Sequence, residues 1–454
     1  MSARRTTEPI AYGIDFGTTN SSIAIAYPGR VEVVPVERGE MAEVLPSIVY
    51  LHRDRNRAAG REAVEQFLVT GSHRTQCQGC ELVEWVGGRG YSDCRQYQRG
   101  GGCHDARLVA GLKSELSHKD FVSTHSWAID FTLADLVSVI LRRLKSEADR
   151  VTGADVRRVV LGHPVVFVGA EGPDYRRRQA TAEERLQQAA VDAGFDEVAL
   201  LEEPAAAVIE ESFNEGIALA TDFGGGTFDV AVIRFAPDGG DVVALAGAEI
   251  GGEQFDRLLF QAKVAPALHI EDVFEVRAGV HRNLPNWLRM RLATLSGLKS
   301  LLSDPRTALT LREFSAAKGG KRLEAVEEIL YSGYGYQFYQ AVEDAKIALS
   351  TRSSSSIEFH RPRLDISIPV TRREFEGLII SRLEIVRREI LKALEIAEIG
   401  PEEVGLVLRT GGSSSIPAFV RILEEIFNPS VVQERPVYTT VVHGLASYAQ
   451  ELWR

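Results

Sequence analysis

Cysteine, methionine and tryptophan are all scarce in this chain of 454 residues, at four, three and four copies. The four cysteines crowd between residues 77 and 103. That excludes a disulfide framework, which would spread its bridges through a shorter chain. Apolar runs are short, and none approaches the about 18 residues that a membrane-spanning helix needs. The opening stretch, "MSARRTTEPIAYG", has two arginines but no apolar centre, so it does not read as a signal peptide. Positive charge is in deficit as well, with 52 Lys and Arg against 63 Asp and Glu and a net charge of −11. A nucleic-acid binder would show a basic domain or stripe instead. These absences lead to the expectation of a cytoplasmic protein that meets neither membrane nor nucleic acid.

What is present is ordinary in bulk and unusual in detail. Hydrophobic and charged contents of 44% and 25% are those of a globular protein, and the length exceeds one ordinary core, so two lobes are expected. Two stretches repeat one plan: "IDFGTTNSSIAIA" (14–26) and "TDFGGGTFDVAVI" (221–233). Aligned on Asp15 and Asp222, which lie 222 − 15 = 207 residues apart, both read Asp-Phe-Gly, then small or hydroxyl residues, then a β-like alternation. A repeat near half the chain length predicts a duplicated fold with a site between its halves.

The rest of the chain reads as alternating strands and helices. Residues 10–36 have the pattern of paired hairpins, and 70–106 that of an inserted polar loop rich in Gly and Arg. Helices are expected at 108–117, 132–150 and 181–194, the last opened by a capping box from Thr181 to Glu184 and stopped by Gly194. A buried strand is expected within 157–169. The second half restarts with strands at 217–235 and 241–249 and continues in a mostly helical block, 253–350. A serine linker follows at 353–356, then a β–loop–α unit at 404–427. Such alternation implies α/β layers with partly parallel sheets.

The glycine turns carry the chemistry. A Gly- and hydroxyl-rich turn after a strand presents backbone N–H groups to phosphate oxygens with no Cβ in the way. The neighbouring acids would repel phosphate unless a divalent metal stood between, with Asp15 and Asp222 holding its water shell as Mg²⁺ prefers. A third glycine loop, "RTGGSSSIPAF" (409–419), joins a strand to a helix, a common place for a base or ribose to lie on exposed backbone. Two other nucleotide folds are excluded. "HRD" (His52 to Asp54) with "DFG" suggests a protein kinase, but no G-x-G-x-x-G loop accompanies them and Asp54 has no Asn five residues on. There is also no G-x-x-x-x-G-K-[ST] P-loop.

Taken in order, "GIDFGTTNSSIA", "RRQAT", "EEPAAAV", "TDFGGGTFDVAV", "GGEQFD", "VEDAKIALS", "RTGGSSSIPAF" and "HGLASYA" resemble the ATPase domain of the heat-shock 70 kDa (DnaK-type) chaperones, of the actin and sugar-kinase superfamily. The likeness runs from residue 12 to about 449. It implies a two-lobed actin-like α/β fold with a central nucleotide cleft. Lobe I would be 1–215, with an inserted subdomain at about 38–125 that contains a Cys-rich loop, 72–107. Lobe II would be 216–454, with a mostly helical subdomain at about 250–355 and a C-terminal helix at about 440–454.

The resemblance also implies roles. Asp15 and Asp222 would hold hydrated Mg²⁺, and Glu203 would help order an attacking water, with Asp229 near it. Gly17, Thr18, Thr19 and Asn20 would form the first phosphate loop and Gly224, Gly225, Gly226 and Thr227 the second, with Thr227 next to the γ-phosphate. Gly251 and Gly252 belong to the "GGEQFD" match. Glu343, Lys346 and Ser350 would contact adenosine, opposite Gly411, Gly412 and Ser413. Lys113 of "GLKSEL" is the candidate catalytic lysine, and Pro164 and Arg178 match a relay from nucleotide to domain motion. Two departures stand out: Ile347 and Ser415 occupy positions where the family carries arginines near the base.

The chain stops at Arg454, soon after the last motif, as in the short heat-shock-like proteins without a peptide-binding domain. The expected activity is Mg-dependent ATP binding with slow hydrolysis, signalled by lobe closure to a protein partner or client. The competing expectations are a nucleotide-gated interaction module with negligible turnover and a small-molecule kinase. Finally, Cys77, Cys80, Cys94 and Cys103 have the spacing C-x2-C, thirteen residues, C, eight residues, C. That fits tetrahedral Zn²⁺; a redox dithiol and unlinked thiols remain open.

Overall fold

Each Asp-Phe-Gly stretch ends the first strand of an antiparallel hairpin, and the alternation of side chains along a strand explains why. In strand Ala11–Phe16, Ile14 and Phe16 point into the core of one lobe, so Asp15 points out of the sheet. In strand Gly216–Phe223, Phe223 does the same in the other lobe and leaves Asp222 outward. The return strands are Asn20–Tyr27 and Phe228–Ala236, and Asp15 faces Ser22 just as Asp222 faces Asp229. The computed structural model describes residues 8–39, 41–70, 74–75, 103–118, 124–126, 129–170, 174–209, 215–236, 239–331, 334–361, 364–435 and 439–453.

Both hairpins sit in mixed sheets built to one plan. In lobe I, Ala11–Phe16 pairs in parallel with Arg158–His163, which pairs in parallel with Glu197–Glu202; on the other side come Asn20–Tyr27 and then Arg30–Val33, both antiparallel. In lobe II, Gly216–Phe223 pairs in parallel with Val404–Thr410 and that with Val432–Glu434; on the other side come Phe228–Ala236 and Gly239–Ala248, both antiparallel. Helices Leu133–Thr152 and Tyr175–Ala193 cover one face of the first sheet. Arg372–Ala397 and Pro417–Ile426 cover one face of the second. The fold is therefore the two-lobed, duplicated α/β arrangement.

Each lobe carries an addition. Strands Arg57–Ala59, Ile48–His52 and Ala106–Ala110 form a small sheet under helix Arg61–Thr70 in lobe I. In lobe II, residues between Gly252 and Thr351 are mostly helical, interrupted by the hairpin Val273–Arg277 and Val280–Asn283. The last helix, Thr440–Leu452, follows lobe II in sequence but packs on the sheet of lobe I. Val441, Val442, Leu445, Ala446 and Ala449 meet Ala11, Ala24, Ala26 and Val160. Small residues let it come close: a Cβ on Gly13 would lie 2.4 Å from the Ala446 nitrogen, and one on Gly444 1.8 Å from the Ala206 carbonyl oxygen.

Three local expectations are corrected. Residues 108–117 are not one helix; the strand Ala106–Ala110 runs into a single turn, Leu112–Glu115, after Gly111 in the left-handed region (φ 69°). The helix expected to open at Thr181 starts at Tyr175, and the Thr181 hydroxyl donates back to the Arg177 carbonyl instead of capping. Its stop at Gly194 is as read, with φ 104°. The serine segment 353–356 is no linker, since the strand Ser354–Arg361 begins within it.

Candidate functional site

The two glycine turns meet face to face between the lobes. Cβ atoms built on Gly225 and Gly226 would lie 2.9 Å from Thr19 Oγ1 and 3.0 Å from Thr18 Oγ1. Only bare backbone permits this approach. The first turn is braced from the bend between the strands Leu45–Pro46 and Ile48–His52, which the sequence did not single out. Buried Ser47 donates its N–H to the Thr19 carbonyl (2.8 Å) and its hydroxyl to the Gly17 carbonyl (2.8 Å), and bonds to Ser21 (2.8 Å). Asn20, the first residue of the return strand, pairs with Pro46. The second turn rests on an aromatic cluster: Phe223 lies 5.2 Å from Phe228, 5.7 Å from Phe255 and 5.0 Å from Phe419, all edge-on. Such pairs stabilise beyond their buried area.

Beneath the turns lies a nest of acids around one cation. Lys113 Nζ is 2.5 Å from Glu203 Oε1, and both side chains are buried. Asp15 and Asp222 stand half-buried at the cleft. Burial, and then the charge of Glu203, pushes each of them up to about 8. Asp229, fully buried, is pushed up to about 7 by the same two causes. Burial alone would lower Lys113, but the charges of Glu203 and Asp15 hold it above its ordinary value. Four carboxylates would thus share one lysine if all were ionised. That excess of negative charge fits a further divalent cation. No three carboxylate, imidazole or thiolate groups among the described residues converge to ligate a metal directly.

The nest also ties the lobes together. Asp229 of lobe II accepts the Val165 N–H of lobe I at 2.8 Å through Oδ1. Glu249 of lobe II accepts the Gly169 N–H at 2.5 Å, and the Gly169 carbonyl accepts from Arg178 at 2.5 Å. Pro164 begins this loop, and Arg178, in the helix Tyr175–Ala193, reaches into it at Gly169.

A second group of residues gathers beside the second turn. Gly252 donates to the Gly224 carbonyl (3.1 Å) and Glu253 to that of Gly225 (2.9 Å), and a Cβ on Gly251 would lie 2.3 Å from the Gly225 carbonyl oxygen. Ser413 Oγ donates to the Gly224 carbonyl at 3.0 Å. Gly411 (φ 85°) has no room for a Cβ, which would lie 2.5 Å from Asp222 Oδ1. Gly412 and Ser413 continue into a short 3-10 turn, Gly412–Ser415. Glu343, Lys346 and Ser350 share one face of the helix Gly335–Thr351 by their spacing. Lys346 pairs with Asp256 at 2.8 Å, across to the helix Gly252–Leu259, and also reaches the Gly252 carbonyl (3.3 Å). Ile347 is 52% exposed, and Ser415 is bonded to Glu434 at 3.2 Å.

A family model described as Hsp70 protein matches residues 11–325 and 335–446. The chain belongs to the Hsp70 family. Among its relatives, the chaperone protein DnaK of Thermosipho africanus is 26% identical over 427 residues, covering 91% of this chain and 54% of that protein. DnaK of Thermotoga maritima is 24% identical over 431 residues, covering 91% and 55%. The chain spans about half the length of these curated relatives. As an Hsp70 ATPase-domain chain it carries the fold of a nucleotide-binding protein, and ATP with Mg²⁺ is the ligand the family implies. Cys77, Cys80 and Cys94 lie outside the described residues, while Cys103 pairs with Thr75 in a two-residue ladder. No helix among the described residues is long and apolar enough to cross a membrane.

Proposed function

We propose that this Hsp70-family chain binds Mg·ATP between its lobes, hydrolyses it slowly, and reports its nucleotide state by lobe closure to a protein partner or client in the cytoplasm. The observation that carries this reading is the nest of Asp15, Glu203, Asp222 and Asp229 around Lys113, set beneath two facing glycine turns. The N–H groups of Gly17–Asn20 and Gly224–Thr227 would receive phosphate oxygens, and Thr227 would stand next to the terminal phosphate. Asp15 and Asp222 would hold the hydrated Mg²⁺, which when bound neutralises phosphate charge. Lys113, kept charged by its neighbours, would add fixed positive potential in a partly dehydrated site. Glu203 and Asp229 would orient the attacking water. Glu343, Lys346 and Ser350 would face Gly411, Gly412 and Ser413 across the adenosine.

Exposed Ile347, together with Ser415 already bonded to Glu434, supports a second reading. Neither position supplies a cation to stack on a base, which favours a nucleotide-gated interaction module with negligible turnover. We further propose that the cysteine segment holds structural zinc and contributes to the partner surface. Titration calorimetry with ATP and ADP in Mg²⁺ buffer, followed by single-turnover phosphate release, tests both readings. Absence of heat with either nucleotide overturns nucleotide binding. Normal binding without phosphate release selects the second reading.

A further inference from the structure

The loop Gly411–Ser415 is gripped from two sides. Toward the cleft, Ser413 Oγ donates to the Gly224 carbonyl at 3.0 Å. From the outer side comes Arg409, on the strand that leads into the loop. One of its terminal nitrogens donates to the Ser414 carbonyl at 3.0 Å, and the other to Glu434 Oε2 at 2.7 Å. Glu434 Oε1 in turn accepts from the Ser415 hydroxyl at 3.2 Å. Arg409 and Glu434 face each other across the parallel pair Val404–Thr410 and Val432–Glu434. The result is a closed ring of contacts, Arg409 to Ser414, Ser415 to Glu434 and back.

We propose that Arg409 is a positioning residue for the nucleoside end of the cleft, holding the Gly411–Ser415 backbone in the shape that lies against a bound base and ribose. The inference rests on the nucleotide reading above and deepens it. The Arg409 side chain is 13% exposed and that of Glu434 52%. An ion pair so close to solvent adds little to global stability. Its distinctive element is the second bond, to a carbonyl inside the loop, which a planar guanidinium makes without giving up the carboxylate. Within the loop, Ser414 donates its N–H to the Gly411 carbonyl (3.0 Å) and Ile416 to that of Ser413 (3.2 Å), but neither bond ties the loop to the strand pair behind it. Its own buried hydroxyl, Ser414 Oγ, and that of preceding Thr410 have no partner within the described residues. Gly411 sits at φ 85°, where the backbone is freer in glycine than in any other residue. Ser415 offers no cation to stack on a base and is bonded to Glu434 instead, so the site depends on the shape of this loop. Arg409 supplies that shape from behind without touching the ligand.

The test compares Arg409→Gln, Arg409→Lys and Glu434→Gln with the parent chain, full length, by calorimetry against Mg·ATP and Mg·tripolyphosphate. Loss of loop order on this scale weakens binding about five- to tenfold. Arg409→Gln should lose that much affinity for Mg·ATP, yet stay within about twofold for tripolyphosphate, which reaches only the phosphate turns. Arg409→Lys, which keeps the pair with Glu434 but not both bonds, should recover little. Glu434→Gln should fall between. Hydrogen exchange without nucleotide should quicken in the peptide spanning 410–417 of Arg409→Gln and nowhere else in lobe II. Equal losses for both ligands, unchanged ATP affinity, or unchanged exchange would overturn the proposal. A parent chain that binds neither ligand would overturn the nucleotide reading and this inference with it. A parent chain that binds tripolyphosphate as tightly as ATP would remove the nucleoside subsite alone.

Discussion

Lys113→Met takes the cation out of the acidic nest at nearly constant volume. Lys113 and Glu203 side chains are 8% and 4% exposed and 2.5 Å apart, and removing one partner of such a buried pair costs about 3–5 kcal/mol. The abandoned charge has a partial escape, because Asp15 and Asp222, pushed up to about 8, already hold protons at pH 7, and Asp229, pushed up to about 7, can take one up. Taking up a proton relieves about 1.4 kcal/mol for each unit of pKa displacement. At pH 7 without Mg²⁺ the net loss should therefore be about 2–4 kcal/mol, read by urea denaturation from tryptophan fluorescence. At pH 5.5, where more of these acids are protonated beforehand, the loss should shrink. The double variant Lys113→Met/Glu203→Gln should recover at least about 1 kcal/mol relative to the sum of the singles, since the two groups are in contact. Turnover should fall at least tenfold. A loss below about 1 kcal/mol at pH 7 with additive singles would show that Lys113 is merely a solvated helix lysine, and the electrostatic reasoning for the nest would fail.

Thr227→Ala and Asp222→Asn should each lower phosphate release at least about tenfold while leaving the denaturation midpoint near that of the parent; a parent-like rate in both removes the second turn from the chemistry. Folded Asp15 and Asp222 keep their protons up to about 8, whereas the unfolded chain releases them near about pH 4. The folded state thus binds more protons between those limits, and its stability falls as pH rises through that window. Mg²⁺ should consequently raise the unfolding temperature more at pH 8.5 than at pH 6, and equal shifts at both would count against these acids as its holders. Gly444→Ala, which sets a methyl 1.8 Å from the Ala206 carbonyl oxygen, should cost about 1–3 kcal/mol by overpacking; a neutral result would mean that the last helix shifts freely. Elemental analysis of chelator-free protein should find about one zinc per chain, lost in Cys77→Ser/Cys80→Ser; metal-free protein with unchanged stability rules the zinc out.

The hairpins and their glycines were legible because each depends on neighbours in sequence. Alternation exposes Asp15 and Asp222, and the turn lies between the two strands it joins. Contacts made across large separations were not. Ser47 braces Gly17 from 30 residues away, and Glu249 reaches Gly169 from 80; nothing local marks either. Lys346 sits three residues from Glu343 and invited a local pair, yet its partner is Asp256 on another helix. Thr181 with Glu184 has the look of a cap, but the same pattern occurs inside a helix when the hydroxyl bonds back to the preceding turn. Residues 108–117 misled because a strand of five residues and a one-turn helix, joined at Gly111, blur into one helical period.

The return of the final helix to lobe I means that the backbone joins the lobes twice. It passes once between the strand Glu197–Glu202 and the strand Gly216–Phe223, and again between the strand Val432–Glu434 and the helix Thr440–Leu452. A body held by one tether can swing, twist and slide; one held by two is freest to turn about the line through both. Any opening of the space above the acids would then have to turn about the line through these two crossings.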